Sequence, residues 1–217
     1  MTPTPADSRT RLLDAALAGF RRKGYSATTV DDICAATGLS KGSFFHHFKG
    51  KEDLALATIA HWNQRTGALF AQAAYQQVAD PRDRLLAYLD LRATLLLAGE
   101  LPDVTCLLGT LVQETYDTHP ALRAACAAGI GSHADTLVPT IEAARAMYAP
   151  EASWTAESLA LFTQAALQGA FIVAKSQGSV QAAAPLLAHL RAYVLGLLGG
   201  EQAAPTPRRR RPAQAGR

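Results

Sequence analysis

Within TTVDDICAATGLSKGSFFHHFKGKEDL, residues 28–54, one helix must end and another begin almost at once. Thr29 can cap a short helix, Asp31 and Asp32 suit the positive end of its dipole, and Gly38 can end it. Ser40 is already the next start signal, so two short helices are forced to meet at a sharp angle. Ahead of them, Leu12, Leu13, Ala16, Leu17 and Phe20 form a one-faced helical stripe, introduced by Asp7 or Ser8 and stopped by Gly24. Val30, Ile33, Leu39, Phe44 and Phe48 are expected to pack on that stripe. The result is a three-helix unit occupying residues 1–55.

Beyond it, every break is a proline or glycine between helical stretches. The spacing predicts helices over about 51–78, 81–98, 103–116, 120–148 with a bend at Pro139, 155–177 and 182–198. No segment alternates like a strand, so the fold class is all-α. Its second domain, 56–199, is larger and reads as a sensing and dimerisation unit. The stretch SLALFTQAALQGAFIVAK is apolar around more than one face and needs two partners. Phe162, Ala166, Gly169, Ala170 and Val173, with Leu190 and Val194 of the last helix, are expected at a twofold interface with a second copy. Residues 200–217 are rich in Pro, Ala and Arg and read as a disordered basic tail.

Composition narrows the function. No apolar run approaches the roughly 20 residues of a membrane span, and the start lacks a secretory signal, so a cytoplasmic protein without a membrane partner is expected. The three cysteines have no CxxC or CxxH spacing, which leaves no disulfide framework and no zinc site. Residues 1–55 carry eight Lys or Arg against six Asp or Glu, 56–199 carry eight against eleven, and 200–217 carry five against one. Basic ends around an acidic middle fit a polyanionic partner at one end of the molecule.

A helix pair joined by a glycine-bearing turn, with small and cationic residues opening its second helix, is the arrangement that sets a helix N-terminus in the DNA major groove. Lys41 and Lys51 are expected to neutralise phosphates, Thr29 to donate to phosphate oxygen, and Gly42 to permit close approach. Ser43 and His46 would meet base edges, while Phe45 and His47 offer flat faces for sugar, thymine methyl or phosphate. A metal site is disfavoured because adjacent helical residues point roughly 100° apart. No nucleophile or acid with its base lies near this turn, so no catalytic residue and no cofactor is expected.

Residues 8–55 resemble the helix-turn-helix of the TetR family of bacterial transcriptional regulators, whose members show a T-hydrophobic-x-x-I-x-x-x-x-G-[VL]-S-[KR]-G-[ST]-[LF]-Y-x-[HY]-F-x-[SN]-K-E-x-L run. The resemblance implies an all-helical homodimer on a double-stranded DNA operator, with a C-terminal domain for an inducer. Phe45 replaces the usual tyrosine and Gly50 the usual small polar residue; the missing phenol removes a hydrogen bond worth about 0.5–1.5 kcal/mol. In such a fold, Trp62, Tyr88, Arg92, Thr110, Gln113, Glu114, His133 and Gln168 are candidates to line a cavity for a small molecule. The runs CLLGTLVQE and LQGAFIVAKSQGSVQAAAPLLAHLR resemble the branch that includes the N-ethylmaleimide reductase repressor. That likeness implies a Cys106 reactive towards electrophiles and oxidants, with Lys175 favouring its thiolate. The expected function is a homodimeric regulator, most simply a repressor, that binds a palindromic operator through residues 40–47 and leaves it on induction or cysteine modification. The alternative is a ligand- or redox-sensing protein without specific DNA recognition.

Overall fold

The computed structural model describes residues 7–200; the basic tail expected from residue 200 onward otherwise lies outside them. Eleven α-helices and two 3-10 turns follow in order, with no strand among the described residues. They are α1 (Ser8–Ala27), α2 (Val30–Thr37), α3 (Lys41–His47), α4 (Lys51–Gln72), α5 (Pro81–Leu97), α6 (Leu101–Val104), α7 (Leu107–Thr115), α8 (Pro120–Asp135), α9 (Val138–Tyr148), α10 (Ala156–Ser176) and α11 (Ala184–Leu197). The 3-10 turns, Ala74–Gln77 and Val180–Ala183, precede α5 and α11.

The N-terminal unit follows its capping chemistry. Asp7 accepts from the Thr10 amide at the start of α1. Thr29 and Asp32 form a reciprocal capping box on α2, and Gly38 ends it in the left-handed region at φ 66°. Ser40 then caps α3 by accepting from the Ser43 amide. Three expected helices are instead divided. The stretch from 51 stops at Gln72 and tightens into a 3-10 turn. The expected 120–148 helix is interrupted by a turn at Thr136–Leu137, both still in the right-handed helical region, because Pro139 lacks an amide proton and clashes with the carbonyl four residues back. The expected 103–116 helix breaks at Thr105 and Cys106, both extended, where the Thr105 carbonyl accepts from Arg21 Nε at 2.9 Å.

Two apolar clusters fill the molecule. One, around Tyr88, Leu85, Leu96, Ile141, Leu167, Ala170 and Val194, holds α5, α9, α10 and α11 together. The other starts from the α1 stripe and takes in Ile33, Phe44, Phe48, Leu54 and Ile59, then continues into Leu107, Leu108, Leu111, Leu122 and Cys126 of α7 and α8. The helix-turn-helix therefore shares a core with the C-terminal helices, across the expected boundary at residue 55.

Polar contacts fasten the same seam. Gly24, at φ 84° and ψ 175°, breaks α1 before its last turn. The Glu114 carboxylate of α7 enters that break and accepts from the amides of Tyr25 and Ser26, both at 3.0 Å. A Cβ on residue 24 would lie 1.8 Å from Glu114 Oε1. Replacing Gly24 by Ala should thus cost roughly 1–3 kcal/mol for the positive φ and more for displacing Glu114. In urea denaturation, Gly24→Ala and Glu114→Ala should be non-additive, the double variant losing less than the two singles together, because removing the carboxylate removes the clash. Strict additivity would mean that the break and the carboxylate are independent.

Candidate nucleic-acid interface and interior pocket

The outer side of α3 is built by what its inner side anchors. Phe44 is fully buried against Phe48, with ring centroids 5.8 Å apart, and the remaining residues are thereby turned outward. Lys41, Gly42 and His46 are exposed, and Phe45 is 58% exposed. Ser43 is half-buried, its amide held by Ser40. Lys41 pairs with Asp31 at 2.7 Å, an exposed ion pair that contributes little and exchanges readily for another anion. Thr29 is exposed beside this face while its oxygen caps α2.

Two of the expected contact residues are turned elsewhere. His47 is half-buried, with Nε2 2.7 Å from Ser8 Oγ, so its ring faces the start of α1. Lys51 donates to the carbonyls of Tyr25 and Ser26, at 3.0 and 3.4 Å, and lies 4.4 Å from the Tyr25 ring centroid. Its ammonium thus meets the carbonyl side of the same turn whose amides bind Glu114. The reason is position: Lys51 opens α4 directly beside the end of α1, where free carbonyls gather.

A cavity of about 330 Å³ lies between α1, α4, α5, α7, α8 and α10. Of the expected residues, Trp62, Arg92, His133 and Gln168 line it. Tyr88 is buried behind the wall, where its hydroxyl accepts from Arg92 at 3.2 Å and Gln164 at 3.1 Å and meets His133 Nε2 at 3.0 Å. Arg92 also donates to His133 Nε2 at 3.2 Å, which requires an acceptor there and therefore a neutral imidazole. Burial, reinforced by the Arg92 charge, pushes the His133 pKa down to about 4. Thr110 and Gln113 line a small adjoining cleft with Thr105, Cys106, Gln168, Phe171 and Lys175. Glu114 lies away from both, at the α1 break.

Arg21 was not among the residues singled out by sequence, although it lines the cavity. The signal was present: it stands four positions after Leu17, on the apolar stripe, and a charged residue on a buried stripe needs a reason. Its side chain stacks 5.1 Å from the Trp62 ring centroid and is only 8% exposed.

Cys106 borders both the cavity and the cleft. Lys175 donates to Thr110 Oγ1 at 2.7 Å, and desolvation followed by repulsion from Arg21 holds its ammonium below the ordinary range. Cys34 and Cys126 are buried, and burial pushes the Cys126 thiol up to about 12.

The expected interface stripe is rotated. Phe162 and Gly169 face outward, Ala166 and Val173 are half-buried, and Ala170, Leu190 and Val194 lie inside the chain's own core. The outward apolar set is Leu161, Phe162, Ile172, Leu186 and Tyr193, with Phe162 and Tyr193 in contact at 5.1 Å between centroids. Ala156–Ser176 and Val180–Leu197 meet the length and composition of a membrane span, as core helices of a folded domain also do. Packing on the core accounts for one side of each.

Two measurements check this geometry. An unfolded chain takes up the His133 proton near pH 6.5, the folded one only near pH 4, so stability is complete above about 6.5 and falls as pH drops towards 4. The loss attributable to His133 is on the order of 3 kcal/mol. His133→Gln should flatten the upper part of that fall in urea midpoints taken across the window; an unchanged slope would contradict a neutral buried imidazole. With iodoacetamide, peptide mass spectrometry should find Cys106 labelled before Cys34 and Cys126, and the reverse order would contradict the burial assigned to them.

Residues 12–58 match the family model for bacterial regulatory proteins of the tetR family, and residues 81–187 match that for the C-terminal domain of LmrA/YxaF-like transcriptional regulators. The HTH-type transcriptional repressor KstR2 of Rhodococcus jostii is 48% identical over 61 residues, 25% of this chain and 30% of that protein. The HTH-type transcriptional regulator LmrA of Bacillus subtilis is 31% identical over 122 residues, 55% of this chain and 63% of its own length. The chain thus spans less than two thirds of each of these relatives. A regulatory protein TetR from Rhodobacter sphaeroides superposes with a TM-score of 0.76 at 25% identity, covering 85% of this chain and 97% of the other. The reduced form of NemR from E. coli shares the fold, with a TM-score of 0.69 at 24% identity over 85% of this chain and 95% of its own. The helix-turn-helix, the helical C-terminal half and these matches together establish that the chain belongs to the tetR family of DNA-binding bacterial transcriptional regulators.

Proposed function

We propose that this chain is a homodimeric repressor in the cytoplasm, which binds a palindromic operator through residues 40–47 and releases it when a small molecule fills the interior cavity or Cys106 is modified. The observation that carries the reading is the outward projection of Lys41, Gly42, Phe45 and His46 from a helix anchored by Phe44 in a core that continues into α7. In the operator complex Lys41 exchanges Asp31 for phosphate, and His46 and Ser43 approach base edges, with Phe45 against sugar or thymine methyl. Thr29 donates to the backbone, as Lys51 and His47 do after leaving their present partners. The named repressor KstR2, similar to this chain over part of its length, supports the sign of regulation.

Support for the dimer comes from the outward apolar face of α10 and α11, on which Phe162 and Tyr193 stand together. A second copy related by a twofold axis covers it and sets two α3 helices about one DNA helical turn, 34–36 Å, apart. Cavity occupancy, or an adduct on Cys106, shifts α7 and through it α1, which changes that spacing.

A gel shift with DNA flanking the chain's own gene, at stated salt, tests the reading. Wild type should shift a palindromic fragment, and His46→Ala should reduce discrimination against a scrambled fragment by about 1–3 kcal/mol. Phe162→Asp should sediment as a monomer and bind the same fragment more weakly. Failure of folded wild type to shift any flanking fragment at low salt would favour a sensor without DNA recognition.

A further inference from the structure

Two polar groups at one place in the interior have no partner. Arg21 Nε donates to the Thr105 carbonyl, but Arg21 Nη2 is buried without a hydrogen-bond partner, as is Thr105 Oγ1 of the residue it touches. Arg21 is 8% exposed and Thr105 0%. No carboxylate lies within ion-pairing distance of Arg21 among the described residues. Leaving a guanidinium nitrogen and a hydroxyl unpaired inside a protein is unfavourable, and natural cores rarely tolerate it without a purpose.

The surroundings point to the missing partner's charge. Arg21 and Arg92 both line the cavity without a carboxylate partner, whereas Arg65 is tied to Asp14 at 2.9 Å. Asp103 also lines the cavity and acts on Arg21 from beyond ion-pairing range. The adjoining cleft brings the Lys175 ammonium to the same corner, and Lys175 and Arg21 repel each other. The rest of the wall carries no further carboxylate among the described residues and sets Leu17, Leu69, Phe70, Leu95, Leu108 and Phe171 beside the neutral polar side chains of Asn63, Thr66, Gln164 and Gln168. A volume of about 330 Å³ stands at the low end of ligand cavities and suits a small molecule.

We infer that the cavity takes a small amphipathic carboxylate, one oxygen accepting from Arg21 Nη2 at the cavity wall and the other from Thr105 Oγ1 where the cavity adjoins the cleft that Thr105 lines, while its hydrocarbon part lies against the apolar side chains. The inference deepens the release reading above and rests on it only for its consequence on DNA. Arg21 belongs to α1, so the acid group binds a residue of the DNA-reading unit directly and bears on the seam between α1 and α7.

The test uses the full-length chain carrying Trp154→Phe, so that fluorescence reports Trp62, which stacks on Arg21. Octanoate and 4-phenylbutyrate are titrated to millimolar concentration beside their neutral counterparts, octanamide and 4-phenylbutanamide. The expected result is a saturable Trp62 response with each acid about tenfold or more tighter than its amide. Arg21→Gln should abolish that preference, and Thr105→Val should weaken acid binding about three- to tenfold without lowering the urea midpoint, since the lost hydroxyl bonds nothing. Equal affinity for acids and amides, no response to either acid, or a preference that survives Arg21→Gln would overturn the inference. If Arg21 only ties α1 to Thr105, Arg21→Gln lowers stability and leaves the preference intact, which also overturns it. Acid-selective binding that leaves a gel shift unchanged upholds the anion site and defeats the release reading; release of DNA by acid and amide alike does the reverse.

Discussion

A single carboxylate holds the junction on which the rest of this molecule depends. Glu114 of α7 sits in the break that Gly24 makes in α1 and binds the two amides that the break exposes. Lys51 satisfies the carbonyls of the same turn from the opposite side. Charge-assisted hydrogen bonds of this kind are roughly twice as strong as neutral ones, and the break has room for nothing larger than hydrogen on residue 24. The helix-turn-helix is therefore fixed to the C-terminal half at the end of α1 by charge and along its length by the shared apolar cluster.

This attachment gives α1 two duties. One face of the helix supports Phe44 and hence the outward side of α3. Its far end supplies Arg21 to the cavity wall and receives Glu114 from α7. Any occupant of the cavity acts on side chains that belong to the reading unit itself. A long chain of intermediaries is unnecessary, because close-packed interfaces transmit a shift rather than absorb it. On the opposite wall the neutral His133 is bonded with Tyr88 and Arg92, and Gln164 donates to the same Tyr88 hydroxyl.

Much of this was legible in the residues alone. The caps at Thr29 and Ser40 and the stop at Gly38 are local chemistry, and they formed where the side chains dictate. The all-helical class followed from apolar spacing. Less legible was everything set by which way an element is rolled. On α10 the apolar residues go nearly round the helix, so spacing alone could not tell Ala170, which faces inward, from Phe162, which faces outward. The interruptions at Thr105 and Thr136 differ in legibility: Pro139 marks the second, which is sharp enough to divide the helix, whereas Thr105 is drawn out by an arginine 84 residues away. Lys51 and His47 have the types that suit phosphate, yet each found a closer partner within the chain. Glu114 shares a helix with Thr110 and Gln113, so the sequence puts it in the pocket, and only the fold shows that it occupies the side of α7 that faces the α1 break.

Coupling through the α1 seam is open to direct measurement by amide hydrogen exchange on the full-length chain, free and bound to a DNA fragment that it shifts. If the reading helix and the cavity communicate through this junction, the amides of Tyr25 and Ser26 should change their protection on DNA binding, along with those of α3. Altered protection confined to residues 29–51, with Tyr25 and Ser26 unmoved, would show that the DNA-reading unit works without reference to the C-terminal half.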